Sequence, residues 1–385
     1  MNNQYSLVLP SNVICGSGVL EKLADIVKDN EISSIAVFVD QGVYGSGAVD
    51  SILKRLVSIV SRVTVITDVP PEPEEGQVKE IFEKANYHGI QMIVAIGGGS
   101  VIDTAKIVSV MLTNPEYIEK LSDSSLIKNK GICLVAVPTS AGTGAEATPN
   151  AIILIPEKKL KVGVVHKYFI PSYVILDPEL TRTLPKSITA ATGIDAYCHC
   201  IETYISRKSN AFSSMFSLEG LRLIKENLIR AYNDGSDMEA RECMLRAAFC
   251  GGIAIASSST VAVHALSYPL GGSYRIPHGV SNAILLPYVM SFNMDSIGQK
   301  VYPIADALGI DTKGLSSHET GERVTEDIFK LVRQVNIPDG LKGYGIKVTD
   351  IECLTRSASG VRRLLDQNPK DMSMDDIKAI YEKLI

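Results

Sequence analysis

Hydrophobic positions in the first half of the chain fall in short, nearly continuous β-branched runs separated by stretches of helical period. The runs are IAVFVD closing at Asp40, VTVITDV closing at Val69, MIVAIGG closing at Gly98 and CLVAVPT closing at Thr139. Runs without polar alternation predict strands buried on both faces, the pattern of a parallel sheet covered by helices. Further strands are expected at AIILI from Ala151 and YVILDP from Tyr173, as part of the sheet or as a small antiparallel extension. Past Pro185 the strand pattern stops. From Ser187 onward apolar residues recur at helical spacing, with turns expected at Pro269–Gly272, Pro277–Gly279 and Ile337–Gly340. The boundary therefore falls near Leu184, giving an α/β domain over residues 1–184 and an all-helical domain over 185–385. No linker rich in Gly, Ser or Pro and no internal repeat separates the halves, so a rigid interface with a cleft is expected.

Composition narrows the function classes. With 385 residues and 45% hydrophobic content the chain can bury a large core. A net charge of -5 with scattered Lys and Arg leaves no footprint for nucleic acid. The opening MNNQYSLVLPSNVICG has no basic segment followed by an apolar one, so a cytoplasmic location is expected. Ala247–Leu266, the longest apolar-looking stretch, carries Ser257, Ser258, Ser259, Thr260 and His264, and reads as a buried helix rather than a membrane span. Seven cysteines, with Cys198 and Cys200 the only close pair, make neither a disulfide framework nor a thiolate zinc site, and fit a reducing compartment.

Two loops carry a nucleotide signal. Strand MIVAI runs into Gly97, Gly98, Gly99 and Ser100 and then into the amphipathic VIDTAKIVSVML. Glycines admit a pyrophosphate close to the backbone, and the N–H groups of a helix start stabilise its charge. Strand CLVAV runs into the small, hydroxyl-rich Pro138–Glu146, at the strand edge where open α/β sheets bind ligands. Asp40, closing the first strand, either accepts hydrogen bonds from a ribose 2′-hydroxyl, favouring NAD over NADP, or simply starts the QGVYGSG loop.

A metal signal lies in the second half. Asp195 and His199 stand four apart in TAATGIDAYCHCIETYI, on one face of a predicted helix. His264 sits in a helical stretch, and the turn Gly271–Pro277 folds His278 back toward it. One carboxylate and three imidazoles suit Fe²⁺ or Zn²⁺ rather than Ca²⁺ or Mg²⁺. Each histidine taken singly also fits an ordinary core position. His88, His166 and His318, without acidic or imidazole neighbours at helical spacing, are read as structural.

Together, GGGSVIDTAK from Gly97, PTSAGTGAEAT from Pro138, LDPELTRTLP from Leu176, TAATGIDAYCHCIETYIS from Thr189 and HALSYPLGGSYRIPHGVSNAILLPYVMSFN from His264 resemble the iron-containing alcohol dehydrogenase family over nearly the whole chain. The resemblance implies an N-terminal Rossmann-like dinucleotide-binding domain, an all-α C-terminal domain and a dehydroquinate synthase-like architecture with a metal between them. It implies Asp195, His199, His264 and His278 as metal ligands; Gly97, Gly98, Gly99, Ser100 and Asp103 on the pyrophosphate side; Thr139, Ser140 and Thr143 in a cofactor loop; Lys161 near the nicotinamide ribose; and Asp40 in NAD preference. The activity implied is hydride transfer between NAD(P) and a small primary alcohol or its aldehyde, with Fe²⁺, or Zn²⁺ or another divalent metal, acting on the substrate oxygen. A homodimer or larger homo-oligomer is implied as well. The N-terminal SLVLPSNVICG segment resembles one that pairs across a dimer.

Two departures stand out. Tyr268 occupies the position where many members have a histidine near the substrate, and a phenol is a poorer proton shuttle at neutral pH. Tyr268 then either shapes the pocket or donates a hydrogen bond to substrate, or packs under the Pro269 turn. Glu72-Pro73 stands where members often have an Asn-Pro that supplies a cofactor hydrogen bond. Arg275 offers a partner for an anionic aldehyde bearing a carboxylate, sulfonate or phosphonate, if it is not merely solvated. A glycerol dehydrogenase-like or dehydroquinate synthase-like enzyme is the rival class, but no basic cluster for a substrate phosphate is evident.

Overall fold

The computed structural model describes residues 4–84, 89–155 and 160–385, with Leu160 and Lys161 described by their backbone alone; His88 lies outside them. The described chain divides into two compact units. One holds residues 8–140 and 144–183; the other holds the stretch up to residue 7, Ala141–Thr143 and Leu184–Ile385.

The first unit is built on six parallel strands in the order β1-β8-β5-β4-β2-β3: β1 (Asn12–Cys15), β2 (Ser34–Val39), β3 (Arg62–Ile66), β4 (Met92–Gly97), β5 (Cys133–Pro138) and β8 (Tyr173–Leu176). The continuous apolar runs are explained by burial on both faces. Ile35, Val37, Val39, Met92, Val94 and Ile96 point to one side, where α1 (Leu23–Asp29) and α3 (Asp50–Ile59) contribute Leu23, Ile52 and Leu56. Ala36, Phe38, Ile93 and Ala95 point to the other, against α4 (Glu75–Lys84) and α5 (Gly99–Met111). Each fully buried aliphatic side chain of this kind stabilises the fold by roughly 1.5–3 kcal/mol. The expected strand at Ala151 forms not in the sheet but in an antiparallel pair, β6 (Asn150–Ile155) with β7 (Leu160–Val165).

Strand order reverses between β2 and β4, each pairing with the other while their successors lie on opposite sides. The carboxyl ends at that reversal carry Asp40 and the Gly97–Gly99 loop, and the Asp40 N–H donates to Ile96 O at 2.9 Å. Such a point is where open α/β sheets take their ligands.

The second unit is helical, from α6 (Lys186–Ile205), α7 (Ala211–Asn233), α8 (Met238–Ser257), α9 (Ala262–Tyr274) and α10 (His278–Asn293) to α11 (Val301–Ala307), α12 (Ser317–Gln334), α13 (Ile351–Ser359), α14 (Arg362–Leu365) and α15 (Met374–Glu382). Side-chain caps mark the starts: Asn210 with Ser213, Ser316 with Glu319 and Ser373 with Asp376 form capping boxes. Two expectations fail here. Ala247–Leu266 is not one helix, because the chain bends by 104° between α8 and α9, where Ser258 and Val261 leave helical geometry. Pro269–Gly272 is not a turn but lies inside α9; the turn is Arg275–Pro277, with Arg275 in the left-handed region at φ 54. Pro277 then caps α10 and places His278 at its first position. Among the described residues no single helix is long and apolar enough to cross a membrane.

Candidate active site

The two-turn reach of α6 sets the centre. Asp195 and His199 project from one face, and both are buried. The bend before α9 turns His264 onto that face, and the start of α10 brings in His278. The Nε2 atoms of His199, His264 and His278 lie 3.9, 3.9 and 3.8 Å from Asp195 Oδ1. The His199 and His264 rings stack at 4.8 Å, and the His264 and His278 rings meet edge-on at 5.2 Å. Candidate ligand atoms of Asp195, His199 and His264 all fall within 4.8 Å of one another. Metal–ligand bonds of about 2.0–2.2 Å put donors around one ion about 3 to 4 Å apart, so the set fits a divalent transition metal.

The outer contacts aim these rings. His199 Nδ1 bonds Gly142 O at 3.2 Å, and His264 Nδ1 bonds Glu202 Oε2. With the N–H of each ring on its Nδ1, the Nε2 lone pairs face Asp195, the arrangement of a metal-ready imidazole. Glu202 is wholly buried, and its Oε1 also accepts the Val263 N–H at 2.7 Å, one of the donors that the start of α9 leaves without a helical partner. It lies on the Asp195–His199 face at the i, i+4, i+7 spacing. That spacing was visible in the sequence, but no motif marked its third member.

Asn282, one turn past His278, donates Nδ2 to Asp195 Oδ1 at 2.7 Å and lies 3.3 Å and 3.1 Å from His264 and His278 Nε2. An amide N–H thus sits where several acceptor lone pairs converge, a place suited to positive charge. Burial lowers His199 and pushes His264 down to about 4, keeping both imidazoles neutral. Burial would raise the Asp195 carboxyl, but the imidazoles and the Asn282 amide outweigh it and hold it below its ordinary value. Burial drives the Cys198 and Cys200 thiols well above theirs, so neither offers a thiolate.

Tyr268, one turn after His264, lies with its ring 6.2 Å from that of His278. Burial raises the phenol and Arg363 opposes the rise; the net shift is upward, so the hydroxyl stays protonated and a shuttle role is disfavoured. The alternative of packing under a turn falls away because Pro269 is helical. Arg275 is an exposed capping residue of α9.

In the sheet unit, α5 starts at Gly99 with no side-chain cap, leaving its first N–H groups for a ligand. A Cβ on Gly97 would meet Val101 at 2.6 Å, so only glycine lets strand and helix close up here. Ser100 Oγ accepts the Glu72 N–H at 3.0 Å, and Glu72 itself takes φ 51. Asp40 caps α2 (Gln41–Gly45) by accepting the Gly42 and Val43 N–H groups at 2.9 and 3.2 Å, both through Oδ1. The loop-starting role is therefore real, and it uses one carboxylate oxygen. Thr139 is buried, its N–H bonded to Gly97 O at 3.1 Å, so the two loops are tied together. Ser140 and Thr143 are partly exposed beyond it. Asp103 faces away from the glycine loop: its Oδ2 accepts the Ile152 N–H at 3.0 Å, and it sits 3.5 Å from Lys106 Nζ. Lys161 lies on β7, with its side chain outside the described residues.

Comparison with known proteins matches the same division. Residues 10–178 fit the family model described as iron-containing alcohol dehydrogenase, and residues 189–385 fit the C-terminal model of the Fe-containing alcohol dehydrogenase family. The long-chain-alcohol dehydrogenase 1 of Geobacillus thermodenitrificans is 35% identical, with 98% of this chain and 95% of that one aligned. The crystal structure of a 1,3-propanediol oxidoreductase superposes with a TM-score of 0.95 at 30% identity, covering 100% of both chains. That of sulfoacetaldehyde reductase from Bifidobacterium kashiwanohense in complex with NAD⁺ gives 0.89 at 25% identity, covering 99% of this chain and 98% of the other.

Proposed function

The chain belongs to the iron-containing alcohol dehydrogenase family, and from that premise we propose that it interconverts a small primary alcohol and its aldehyde with a nicotinamide dinucleotide. The balanced reduction is aldehyde, NADH and a proton giving alcohol and NAD⁺, with the hydride delivered to the carbonyl carbon and the proton to its oxygen. The observation that carries this reading is the convergence of three imidazole Nε2 atoms, each 3.8 or 3.9 Å from one Asp195 oxygen. Asp195, His199, His264 and His278 would hold Fe²⁺, with Zn²⁺ as the other candidate. When bound, the ion supplies Lewis-acid polarisation of the substrate oxygen.

The protein's own part is positioning. Glu202 and Gly142 orient two imidazoles, and the buried donors exclude water from all but the His278 side. We assign the dinucleotide to the α/β unit, its pyrophosphate on the start of α5 and its ribose against Asp40, whose second oxygen is not used in capping α2. That carboxylate favours NAD over NADP, since it repels a 2′-phosphate. A homo-oligomer is supported by the outward-facing Val8, Leu9 and Val13 near the open edge of β1. A cytoplasmic setting is supported by the seven free cysteines.

Anaerobic NADH oxidation with short aldehydes, by protein stripped with chelator and then reloaded, tests the reaction. Turnover is expected only after Fe²⁺ or Zn²⁺ is restored. Undiminished turnover by the stripped protein, or none with any divalent metal, overturns the proposal.

A further inference from the structure

Asn282 has no exposed surface and reaches three of the four candidate ligands with one nitrogen atom. Its Nδ2 lies 2.7 Å from Asp195 Oδ1, 3.1 Å from His278 Nε2 and 3.3 Å from His264 Nε2. An amide carries two N–H hydrogens in one plane, so it serves at most two of these three acceptors well at a time. The other end of the side chain is unpartnered: among the described residues no donor reaches the buried Oδ1. The ligand atoms alone therefore set which way the amide faces, since the reverse would bring the Asn282 oxygen against the Asp195 oxygen, acceptor on acceptor. The lone pairs that the amide engages are also the ones a divalent metal needs. An N–H group cannot share a lone pair with a cation, and its partial positive charge repels one.

We propose that the Asn282 amide competes with the cation for Asp195, His264 and His278: it holds these side chains in register in the metal-free protein and withdraws when the metal enters. This rests on the metal-dependent reductase reading and adds to it a residue that sets how tightly the ion is held and how fast it leaves. Without the amide, Asp195 Oδ1 and the imidazole nitrogens would face one another in a buried place with no donor, which costs free energy. The amide lowers that cost. A contact made only in the metal-free form stabilises that form and so weakens the apparent hold on the ion. As the ion departs, the N–H group takes over its lone pairs, which eases release. Glu202 acts in the opposite sense: its bond to His264 Nδ1 leaves the Nε2 lone pair available, whereas Asn282 engages Nε2 itself. One neighbour of His264 readies it for a metal, and the other holds its place.

Asn282→Leu keeps the shape of the side chain and removes both polar ends. With Zn²⁺ as the probe, chelator competition should show binding about 10-fold tighter in Asn282→Leu than in wild type, the worth of about one hydrogen bond to a charged group. Release of the ion into excess chelator should be slower. The rise in melting temperature on loading with Zn²⁺ should be larger in the variant, and reading that increment removes any change in helix propensity at the position. Binding that weakens or stays the same in Asn282→Leu overturns the proposal and makes Asn282 an ordinary supporting partner of Asp195. A second measurement uses wild type alone, so it decides the matter even where the variant does not fold. Crystal structures of the stripped and the Zn²⁺-loaded protein should show Nδ2 beside His264 and His278 Nε2 in the first and beyond hydrogen-bond distance of both in the second. An amide in one place in both overturns the competition. No step uses turnover. Tighter Zn²⁺ binding in the variant together with inert aldehydes removes the reductase reading and keeps the Asn282 assignment; no Zn²⁺ binding by wild type removes both.

Discussion

In the α/β unit, Lys106 has no exposed surface, and its ammonium is fully engaged: Thr148 O at 3.0 Å, Thr148 Oγ1 at 3.1 Å, Asn150 O at 2.7 Å and Asp103 at 3.5 Å. In the helical unit a cluster buried on all but its His278 side has the opposite balance. Its acceptors, one Asp195 oxygen and the imidazole Nε2 atoms, converge on one another, and the donor brought among them is the Asn282 amide. The first cluster carries its own cation and ties α5 to β6. The second collects lone pairs at a point, which costs free energy unless something positive is supplied. A buried polar cluster satisfied from within is thus a structural device, and one left rich in acceptors is a binding device.

The largest effect should come from removing one member of each. Asp195→Ala is expected to lower aldehyde reduction by about 10³-fold or more, since several kcal/mol of charge stabilisation are lost with the metal, while its melting temperature stays near wild type. Lys106→Met is expected to do the reverse, destabilising the fold by about 3–5 kcal/mol because Asp103 and Glu146 are left as buried acids without their cation. Circular-dichroism melts and steady-state kinetics on both proteins check the pair. A Lys106→Met that melts like wild type, or a grossly unstable Asp195→Ala, would break the contrast.

An intermediate effect tests whether Glu202 belongs to the binding device. Glu202→Gln keeps an oxygen for the Val263 N–H but presents an NH₂ group to His264 Nδ1. The imidazole proton is then forced onto Nε2, the atom that should carry a lone pair. Metal affinity measured by chelator competition should fall by about 10- to 100-fold, the usual size of such an outer contact. The protein without metal should melt close to wild type. Unchanged affinity would make Glu202 only the N-terminal partner of α9.

Much of this was legible beforehand because local pattern and global role agree. The four central strands needed only burial on both faces, and Asp195 with His199 needed only helical spacing. The missing pieces depended on contacts between distant segments. Glu202 lies in the same run as two ligands, yet its partners Val263 and His264 are about sixty residues on. The break at Ser258–Val261 was hidden inside one apolar stretch, because hydrophobic period does not report a change of direction. Pro269, Gly271 and Gly272 misled in the other sense: their propensity for turns is overridden in a helix whose Pro269–Gly271 stretch is buried.

The smallest predicted effect sharpens the structural half of the comparison through pH. Burial pushes Glu146 up to about 7, against the pull of Lys106, from an unfolded value near 4.5. Because the folded value is the higher one, the folded chain holds a proton that the unfolded chain has released between those limits. The contribution of Glu146 is therefore complete below about pH 4.5, and it is lost as pH rises through about 7. The loss amounts to about 3 kcal/mol if the shift is taken at face value. Glu146→Gln fixes the neutral form. The difference between its denaturation free energy and that of wild type should grow in favour of the variant from pH 5 to pH 8. Activity of the metal-loaded enzyme should follow neither curve. A difference that stays flat would mean that Lys106 offsets the burial of Glu146 in full. An activity profile that tracked it would mean that the two clusters are not separate devices.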